Sequence, residues 1–239
     1  MRVRFLGSGP ARGRPGRGWS RRMESSIAVT AGATTVLVDV TRDFSRQVRP
    51  LRQIDLVLLT HAHRDATGGI PALARWLAAR ERRAAMWSAA ATLRALEARH
   101  RRLAPLERVP FRGARAWHGL AIAGCVVPHA ADTTTLAWRI AYGGRTLVYA
   151  SDVARLERPL RALSRGCDLL ILDGATWRRR IFTHLELRSA ALEVARWPVR
   201  RVLFTQLGRS TPPHEQLEAW LRAVDPRLGA AHDGLELDV

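Results

Sequence analysis

The 239-residue chain contains no lysine, so all 39 of its basic side chains are arginines. A biased nucleotide composition explains the missing lysine, but it does not explain why only 21 acidic residues balance the arginines. The resulting net charge of +18 concentrates anionic substrates and favours weak, salt-sensitive contacts with nucleic acid. From this charge we expect a small anionic substrate. Because no motif for specific nucleic-acid recognition is present, we expect no specific nucleic-acid partner.

Cysteine is also scarce, with only Cys125 and Cys167 in the chain. Two cysteines in this arrangement provide neither a disulfide framework nor a zinc-ribbon pattern. Both lie in apolar, strand-like runs, so we expect buried free thiols.

Long hydrophobic runs are absent, since none approaches the roughly 18 residues that span a bilayer. The chain leads from Met1 directly into a strand-like segment without a signal-type apolar stretch. We therefore expect a cytoplasmic protein without membrane contact. The length fits one α/β domain over residues 1–239, and a homodimer is left open.

The strongest motif is LLTHAHRDA at residues 58–66. The apolar, β-prone run that precedes it predicts a buried strand, and the Gly-Gly-Ile-Pro segment that follows predicts a helix start. His61, His63 and Asp65 would then project from the carboxyl end of the strand. Imidazole nitrogens and a carboxylate oxygen suit Zn²⁺, Mn²⁺ or Fe. The motif favours a metal site over a capping or core role for these side chains.

Hydrophobic periodicity along the rest of the chain predicts a series of strands and helices. We expect strands at residues 2–6, 26–31, 35–40, 56–60, 84–87, 108–110, 120–128, 135–141, 146–150, 169–172 and 201–204, and helices at 71–83, 89–101, 156–165, 186–197 and 213–224. The Gly143–Gly144 pair predicts a tight hairpin, because glycine accepts positive φ angles.

The order of these motifs resembles that of the metallo-β-lactamase-fold hydrolases, and in particular the ribonuclease Z and cyclic phosphodiesterase branch. Residues 2–9 resemble the branch's opening strand and glycine loop, and residues 61–65 resemble its His-x-His-x-Asp-His signature. Residues 126–129 and 149–152 are similar to the strand ends that supply the next histidine and an aspartate. The resemblance covers nearly the whole chain and implies an α/β fold, a four-layer αββα sandwich.

Two positions depart from the family pattern. Ala66 stands where the first motif has its last histidine, and Gln206 stands where the family has its final histidine ligand. Alanine offers no donor atom, and an amide oxygen is a weak, neutral ligand for zinc. Both departures fall on ligands of the same metal ion, so the resemblance implies that this second ion is lost.

By the same resemblance the other metal ion keeps its ligands, which are His61, His63 and His129, with Asp152 as an added oxygen ligand. We expect one zinc ion per chain, with manganese or iron as alternatives. Three protein ligands leave a position for water, whose pKa then falls toward about 7. The sequence therefore predicts a mononuclear site, with its four candidate ligands at one edge between the sheets.

Two further residues are expected to move protons. His184 resembles a histidine that precedes a helix in this branch and faces the metal without binding it, which implies a general acid. Asp65, without a second metal to bind, is expected to orient or deprotonate the attacking water. The alternative for His184 is a place beside a helix N-terminus that Thr183 caps. The remaining histidines have no such context and are expected at the surface: His100, His118, His214 and His232.

Asp39 and Asp173 follow predicted strands and are expected to orient metal-bound imidazoles as hydrogen-bond acceptors.

The one low-complexity stretch, residues 7–22, contains an arginine-rich loop at 10–22 that combines Gly, Pro and Trp19 with five arginines. Gly and Pro at this density predict a mobile loop. Its arginines (Arg12, Arg14, Arg17, Arg21 and Arg22) could form a lid that binds a phosphate, and Trp19 could stack on a base. The alternative is a solvated loop in an arginine-biased chain.

The sequence thus predicts metal-dependent hydrolysis of a small phosphodiester or cyclic phosphate. The alternative, from another functional class, is a non-catalytic protein of the same fold that binds an anionic ligand or cofactor. Processing of transfer RNA is not expected, because no inserted arm for gripping RNA is visible and the two-metal ligand set is incomplete. The fold by itself does not determine the substrate.

Overall fold

The computed structural model describes residues 1–100 and 103–239, and within these ranges the chain forms two seven-stranded sheets and seven α-helices. The strands are β1 (Arg2–Gly7), β2 (Ser26–Ala31), β3 (Thr34–Val38), β4 (Leu56–Leu58), β5 (Ala84–Ser88), β6 (Leu106–Pro110), β7 (Ala114–Trp117), β8 (Leu120–Val127), β9 (Thr135–Tyr142), β10 (Arg145–Ala150), β11 (Leu169–Asp173), β12 (Val202–Thr205), β13 (Leu228–Ala230) and β14 (Glu236–Asp238). The helices are α1 (Phe44–Gln47), α2 (Arg64–Thr67), α3 (Ile70–Ala78), α4 (Ala90–Arg99), α5 (Arg158–Ser164), α6 (Leu187–Val194) and α7 (His214–Val224).

Each sheet combines an antiparallel part with a parallel part. The first sheet has the order β14-β1-β2-β3-β4-β5-β6 and is parallel from β3 to β6. The second has the order β13-β12-β11-β10-β9-β8-β7 and is parallel from β10 to β13. The parallel strands β4, β11 and β12 are buried along their whole length, because sheet and helix layers cover both of their faces.

Three hydrophobic clusters account for the layers. Between the sheets lie the largest apolar side chains, including Phe5, Trp87, Trp138 and Tyr149. On the outer face of the first sheet, leucines of α3 and α4 pack against the strands. On the outer face of the second sheet, α6 and α7 do the same. Each buried leucine contributes roughly 1.5–3 kcal/mol, so the helix faces hold the layers together. The order helix–sheet–sheet–helix confirms the expected four-layer αββα sandwich.

Most predicted elements are confirmed, with ends shifted by a few residues. The Gly143–Gly144 turn has φ angles of 58° and 76° and joins β9 to β10, as the glycine pair predicts. The short helices α1 and α2 and strand β7 were not predicted, and β13 and β14 were given no predicted bounds, since elements of three or four residues carry too little periodicity. The predicted end of one helix at Arg101 lies outside the described residues. Cys167 is buried as expected, but Cys125 is only half-buried.

The arginine-rich stretch 10–22 is anchored, which contradicts the expectation of a mobile loop. Its backbone pairs with itself, because the N–H groups of Arg14 and Arg22 each donate to the other's carbonyl. The Arg14 guanidinium donates to the Gly208 carbonyl and to Thr211. Arg22 is 3% exposed and donates to Ser8 Oγ and the Ala231 carbonyl. These two arginines are therefore structural and cannot close over a phosphate.

His214 was expected at the surface but is buried beneath this stretch. Its Nδ1 lies 3.1 Å from the Arg22 guanidinium, and its ring packs edge-on against Trp19 with 5.2 Å between centroids. Trp19 in turn stacks on His232 at 4.7 Å. The arrangement requires a neutral His214, because Nδ1 must accept a hydrogen bond from Arg22.

No helix in the described part of the chain has the length and apolar character needed to cross a lipid bilayer.

We predict that His214 makes the fold sensitive to acid. Burial, together with the charge of Arg22, lowers the pKa of His214 to about 4, whereas an unfolded histidine titrates near 6.5. The unfolded chain therefore binds the extra proton first, and stability should fall by on the order of 2 kcal/mol between about pH 6.5 and 4, with no contribution to pH dependence above that window.

Urea unfolding at pH 4.5 and 7 tests this with His214→Gln, which keeps an acceptor for Arg22. The variant should lose part of the pH dependence, while His118→Gln, at an exposed turn, should behave like the parent. The same pH dependence in His214→Gln and the parent would contradict the prediction.

Candidate metal centre

Loops from both sheets bring the candidate ligands to one edge of the sandwich. His61 and His63 follow β4 in the first sheet, whereas His129 and Asp152 follow β8 and β10 in the second. Carboxyl ends of parallel strands meet at the same edge of a sheet, which is where α/β folds bind ligands. The structure therefore gathers the four residues as the sequence predicts.

Three imidazoles form the centre of the cluster. The ring centroids of His61, His63 and His129 lie 4.7, 5.1 and 5.4 Å apart. One ligand nitrogen from each lies within 4.8 Å of the others. Donors that share a zinc ion lie about 2 Å from it, so nitrogens gathered this closely form a candidate donor set.

Each of these rings has one nitrogen engaged by a protein group. The contacts are His61 Nδ1 to Thr60 Oγ1 at 2.8 Å, His63 Nε2 to Asp132 Oδ1 at 3.0 Å, and His129 Nδ1 to the Thr183 carbonyl at 2.6 Å. Such outer contacts set the tautomer and orientation of metal-binding histidines. The second nitrogen of each ring is left for a ligand.

His61 provides the test of whether a metal fits. Its Nε2 is buried and has no hydrogen-bond partner among the residues that the structure describes, a condition that costs about 1–3 kcal/mol for a polar group. Burial lowers the pKa of His61 to about 4, so its ring is neutral at pH 7. A neutral imidazole with an unpaired buried nitrogen is the form that binds a divalent cation.

Asp39 was expected to accept a hydrogen bond directly from a metal-bound imidazole. In the structure it acts on His61 through Thr60. The Asp39 carboxylate accepts hydrogen bonds from the Thr60 amide at 2.8 Å and the Thr60 hydroxyl at 2.9 Å. The same hydroxyl contacts His61 Nδ1. The buried chain Asp39–Thr60–His61 thus orients the ring.

Asp65 and Asp152 add oxygen atoms to the cluster. Asp65 Oδ1 lies 3.7 Å from His61 Nε2, and Asp152 Oδ1 lies 3.9 Å from His129 Nε2. Two further donor groups result, one of His61, Asp65 and Asp152, and the other of Asp152 with His129 and His184. The donor groups overlap, because both share residues with the three-histidine set.

Ala66 and Gln206 change the part of the site next to Asp65. Both are buried, and they line a small cavity together with Asp65 and Asp152. Gln206 Nε2 donates a 2.8 Å hydrogen bond to Asp152 Oδ1. The amide therefore places a partial positive charge on the carboxylate and occupies one of its acceptor positions.

His184 is tied to a buried carboxylate. Its Nδ1 lies 2.6 Å from Asp173 Oδ2, and its ring lies 5.0 Å from that of His129. Burial alone would lower the pKa of His184, but the charge and hydrogen bond of Asp173 outweigh it and raise the pKa to about 9. Asp173 is thus an orienting acceptor as expected, although for His184 and not for one of the three clustered imidazoles.

Thr183 is not the helix cap that had been the alternative interpretation of this region. The side chain of Glu186 caps α6 by accepting from the amides of Arg188 and Ser189. The Thr183 carbonyl instead contacts His129.

Sequence reasoning missed Asp132 and Thr60. Asp132 lies three residues after His129 in a loop. A carboxylate this near a candidate ligand was the signal that could have identified Asp132 as part of the site. Thr60 directly precedes His61, but nothing local indicates that its hydroxyl links the ring to Asp39.

The chain belongs to the beta-lactamase superfamily, because the family model of the beta-lactamase superfamily domain matches residues 34–205. The family resemblance inferred from the motifs is confirmed.

Solved structures share this fold over the full chain. A new diphosphatase from the PhnP family superposes with a TM-score of 0.88 at 24% identity, covering 100% of this chain and 97% of that one. Zn²⁺-bound PqqB from Methylobacterium extorquens gives 0.85 at 21% identity, covering 100% of both chains. The short form of human tRNase Z gives 0.75 at 16% identity, covering 100% and 99%.

A curated relative, an octanoyltransferase of Porphyromonas gingivalis, is 23% identical over 260 residues, which cover 99% of this chain and 51% of the relative. This chain therefore spans about half the length of that relative.

We predict that Asp132 raises metal affinity by holding His63. Asp132→Ala removes the acceptor at Nε2, so the ring can rotate away from the cluster, and zinc affinity should fall about 10- to 100-fold. Asp132→Asn, which keeps an acceptor oxygen, should lose less. Competition with a chromogenic chelator measures the affinity.

Asp238→Ala is the matched control, since Asp238 is an exposed aspartate on β14 that pairs with Arg2. Its zinc affinity should equal that of the parent. Unchanged affinity in Asp132→Ala would remove Asp132 from the site.

Proposed function

We propose that this chain is a metal-dependent hydrolase of a small phosphodiester or cyclic phosphate. One divalent cation, zinc first among the candidates, would be held by His61, His63 and His129, with Asp152 adding an oxygen. The observation that carries the proposal is the set of three imidazoles, each with one nitrogen engaged by the protein and one left for a metal. That a structure of this fold is Zn²⁺-bound supports the choice of metal.

A single ion is proposed because the second position lacks two donors of the family pattern. Ala66 supplies none, and the Gln206 amide already donates to Asp152. A second cation beside Asp65 would have to break that hydrogen bond and displace the N–H group, whose partial positive charge opposes it. Asp65 and Asp152 alone would remain as carboxylate ligands there.

The residues around the cluster divide the proton transfers between them. A bound divalent ion lowers the pKa of water and so supplies a nucleophile near neutral pH. Burial and the charge of Asp152 raise the pKa of Asp65 to about 6, which suits a carboxylate that takes up a proton from the attacking water. His184, held by Asp173, would donate a proton to the leaving oxygen.

The charge of the protein supports an anionic substrate. With a net charge of +18, the chain attracts phosphate esters to its surface. Two proteins of similar structure are named for cleaving phosphate bonds, a diphosphatase and a tRNase. The arginines left for substrate contact do not include Arg14 and Arg22, which are bonded within the fold.

A non-catalytic binding protein is the second candidate. The observation that favours it is the loss of two donors, at Ala66 and Gln206, since a weakened metal site can still bind an anion. Turnover separates the two functions, because a binding protein shows none with any metal.

We predict one tightly bound metal ion per chain. Elemental analysis of protein purified without chelators and dialysed should give one equivalent, because only one position has a full set of neutral or anionic donors. Ala66→His with Gln206→His should raise the value toward two. Two equivalents in the unaltered protein would contradict the mononuclear proposal.

We predict hydrolysis of bis-p-nitrophenyl phosphate once Zn²⁺, Mn²⁺ or Fe²⁺ is added, and cyclic nucleotides should also be tested. His63→Ala should lower kcat/KM more than 100-fold by removing a ligand. Asp65→Asn and His184→Gln should each lower kcat about 10²- to 10⁴-fold, which is the usual contribution of general acid–base groups.

His118→Ala, at an exposed turn, is the matched control and should retain full activity. Full activity in Asp65→Asn would remove Asp65 from the mechanism. No turnover with any metal, together with tight binding of a phosphorylated ligand, would favour the binding protein.

A further inference from the structure

Phe182 is an apolar side chain that the fold leaves in solvent. It is 98% exposed, whereas the other exposed large hydrophobic side chains, such as Val126 and Leu192, are 59% and 58% exposed. A phenylalanine this exposed forgoes the favourable burial of its ring, and Phe182 is not isolated, because Leu156, Ile181 and Ala190 line one groove with it.

The turn that carries Phe182 is anchored to the candidate metal centre. Ile181 and His184 form an antiparallel bridge, so Phe182 and Thr183 are the tip of a two-residue turn. The Thr183 carbonyl contacts His129 Nδ1 at 2.6 Å, and His184 contacts Asp173 at 2.6 Å. The backbone on the carboxyl side of Phe182 is therefore fixed by contacts that also orient the candidate site residues.

A groove of about 740 Å³ lies beside this turn and includes His184 in its wall. Phe182, Ile181, Leu156 and Ala190 give it apolar surface. Arg155 and Arg180 also line it, and so do Glu186 and Glu193. Arg155 already pairs with Glu157 at 3.2 Å, and the Glu186 carboxylate caps α6. Among the described residues Arg180 has no carboxylate within 4.0 Å, so its guanidinium is the positive group left for an anionic ligand.

We propose that this groove binds the leaving group of the substrate and that Phe182 stacks on a flat ring within that group. The inference rests on the proposed function, in which His184 protonates the leaving oxygen. The leaving group must then lie beside His184, and His184 is part of the wall of this groove. An anionic ester with a planar ring matches the apolar wall, the exposed aromatic face and the guanidinium of Arg180.

Three probes distinguish binding of the ring from binding of the phosphate. They are adenosine 5′-monophosphate, ribose 5-phosphate and inorganic phosphate. Calorimetric titration of the zinc-loaded protein should show the nucleotide binding at least 10-fold more tightly than ribose 5-phosphate. Phe182→Ala should weaken nucleotide binding about 10-fold and leave ribose 5-phosphate unchanged, because only the ring contact is lost. Phe182→Trp should retain the preference.

Leu192→Ala is the matched control, since Leu192 is an exposed apolar residue of α6 that does not line the groove. It should bind all three probes like the parent. Equal affinity for the nucleotide and ribose 5-phosphate, or unchanged nucleotide binding in Phe182→Ala, would overturn the inference.

The test also separates this inference from the proposed function. Metal-dependent hydrolysis of bis-p-nitrophenyl phosphate without a preference for the ring would support the hydrolase and contradict the proposal that the groove binds the leaving group. A Phe182-dependent ring preference without hydrolysis would support ring recognition in the groove and contradict the enzyme.

Discussion

The candidate centre depends on hydrogen bonds that join the two sheets at one edge. Ser25 lies just before β2, and its Oγ lies 2.8 Å from the hydroxyl of Thr205 at the end of β12. The same Oγ accepts a 2.9 Å hydrogen bond from the backbone N–H of Gln206. The indole of Trp138 in β9 donates across the same junction to the Leu59 carbonyl after β4. Because the clustered histidines come from both sheets, these buried bonds determine whether they meet. Hydrophobic packing supplies the bulk of the stability, but it is non-directional and cannot set distances of this kind.

Two residues at this edge have positive φ angles, which residues other than glycine rarely adopt. Asp39 has a φ of 61° one residue after β3, and Gln206 has a φ of 59° one residue after β12. Each such residue costs on the order of 1–3 kcal/mol and persists only where its surroundings hold it. Here the carboxylate of Asp39 is held by Thr60, and the amide of Gln206 by Asp152. The sharp turns after the two strands aim polar side chains into the cluster, and an extended backbone would carry them past it.

The sequence pattern predicted those elements that depend on residues close together along the chain. The bounds of β2 agree with the strand predicted at residues 26–31. The His-x-His motif identified two members of the imidazole cluster, because a strand followed by a Gly-rich helix start leaves few alternatives. The errors concern partners that are distant along the chain. Arg22 is buried by His214, 192 positions later, so a Gly- and Pro-rich composition that favours mobility was overridden by long-range hydrogen bonds. Asp132 was missed for the same reason, since its partner His63 lies 69 positions away.

The pairing of β14 with β1 has a consequence for synthesis. Arg2 precedes its partner Asp238 by 236 positions, although both belong to the first sheet. A ribosome adding about 5–20 residues per second therefore leaves the outer edge of β1 without its neighbour for on the order of ten seconds or more. Open edges of this kind can template pairing with other chains. The nascent protein thus passes through a period in which β1 has its inner partner β2 but not its outer neighbour β14, and chaperone contact during that interval would fall on β1.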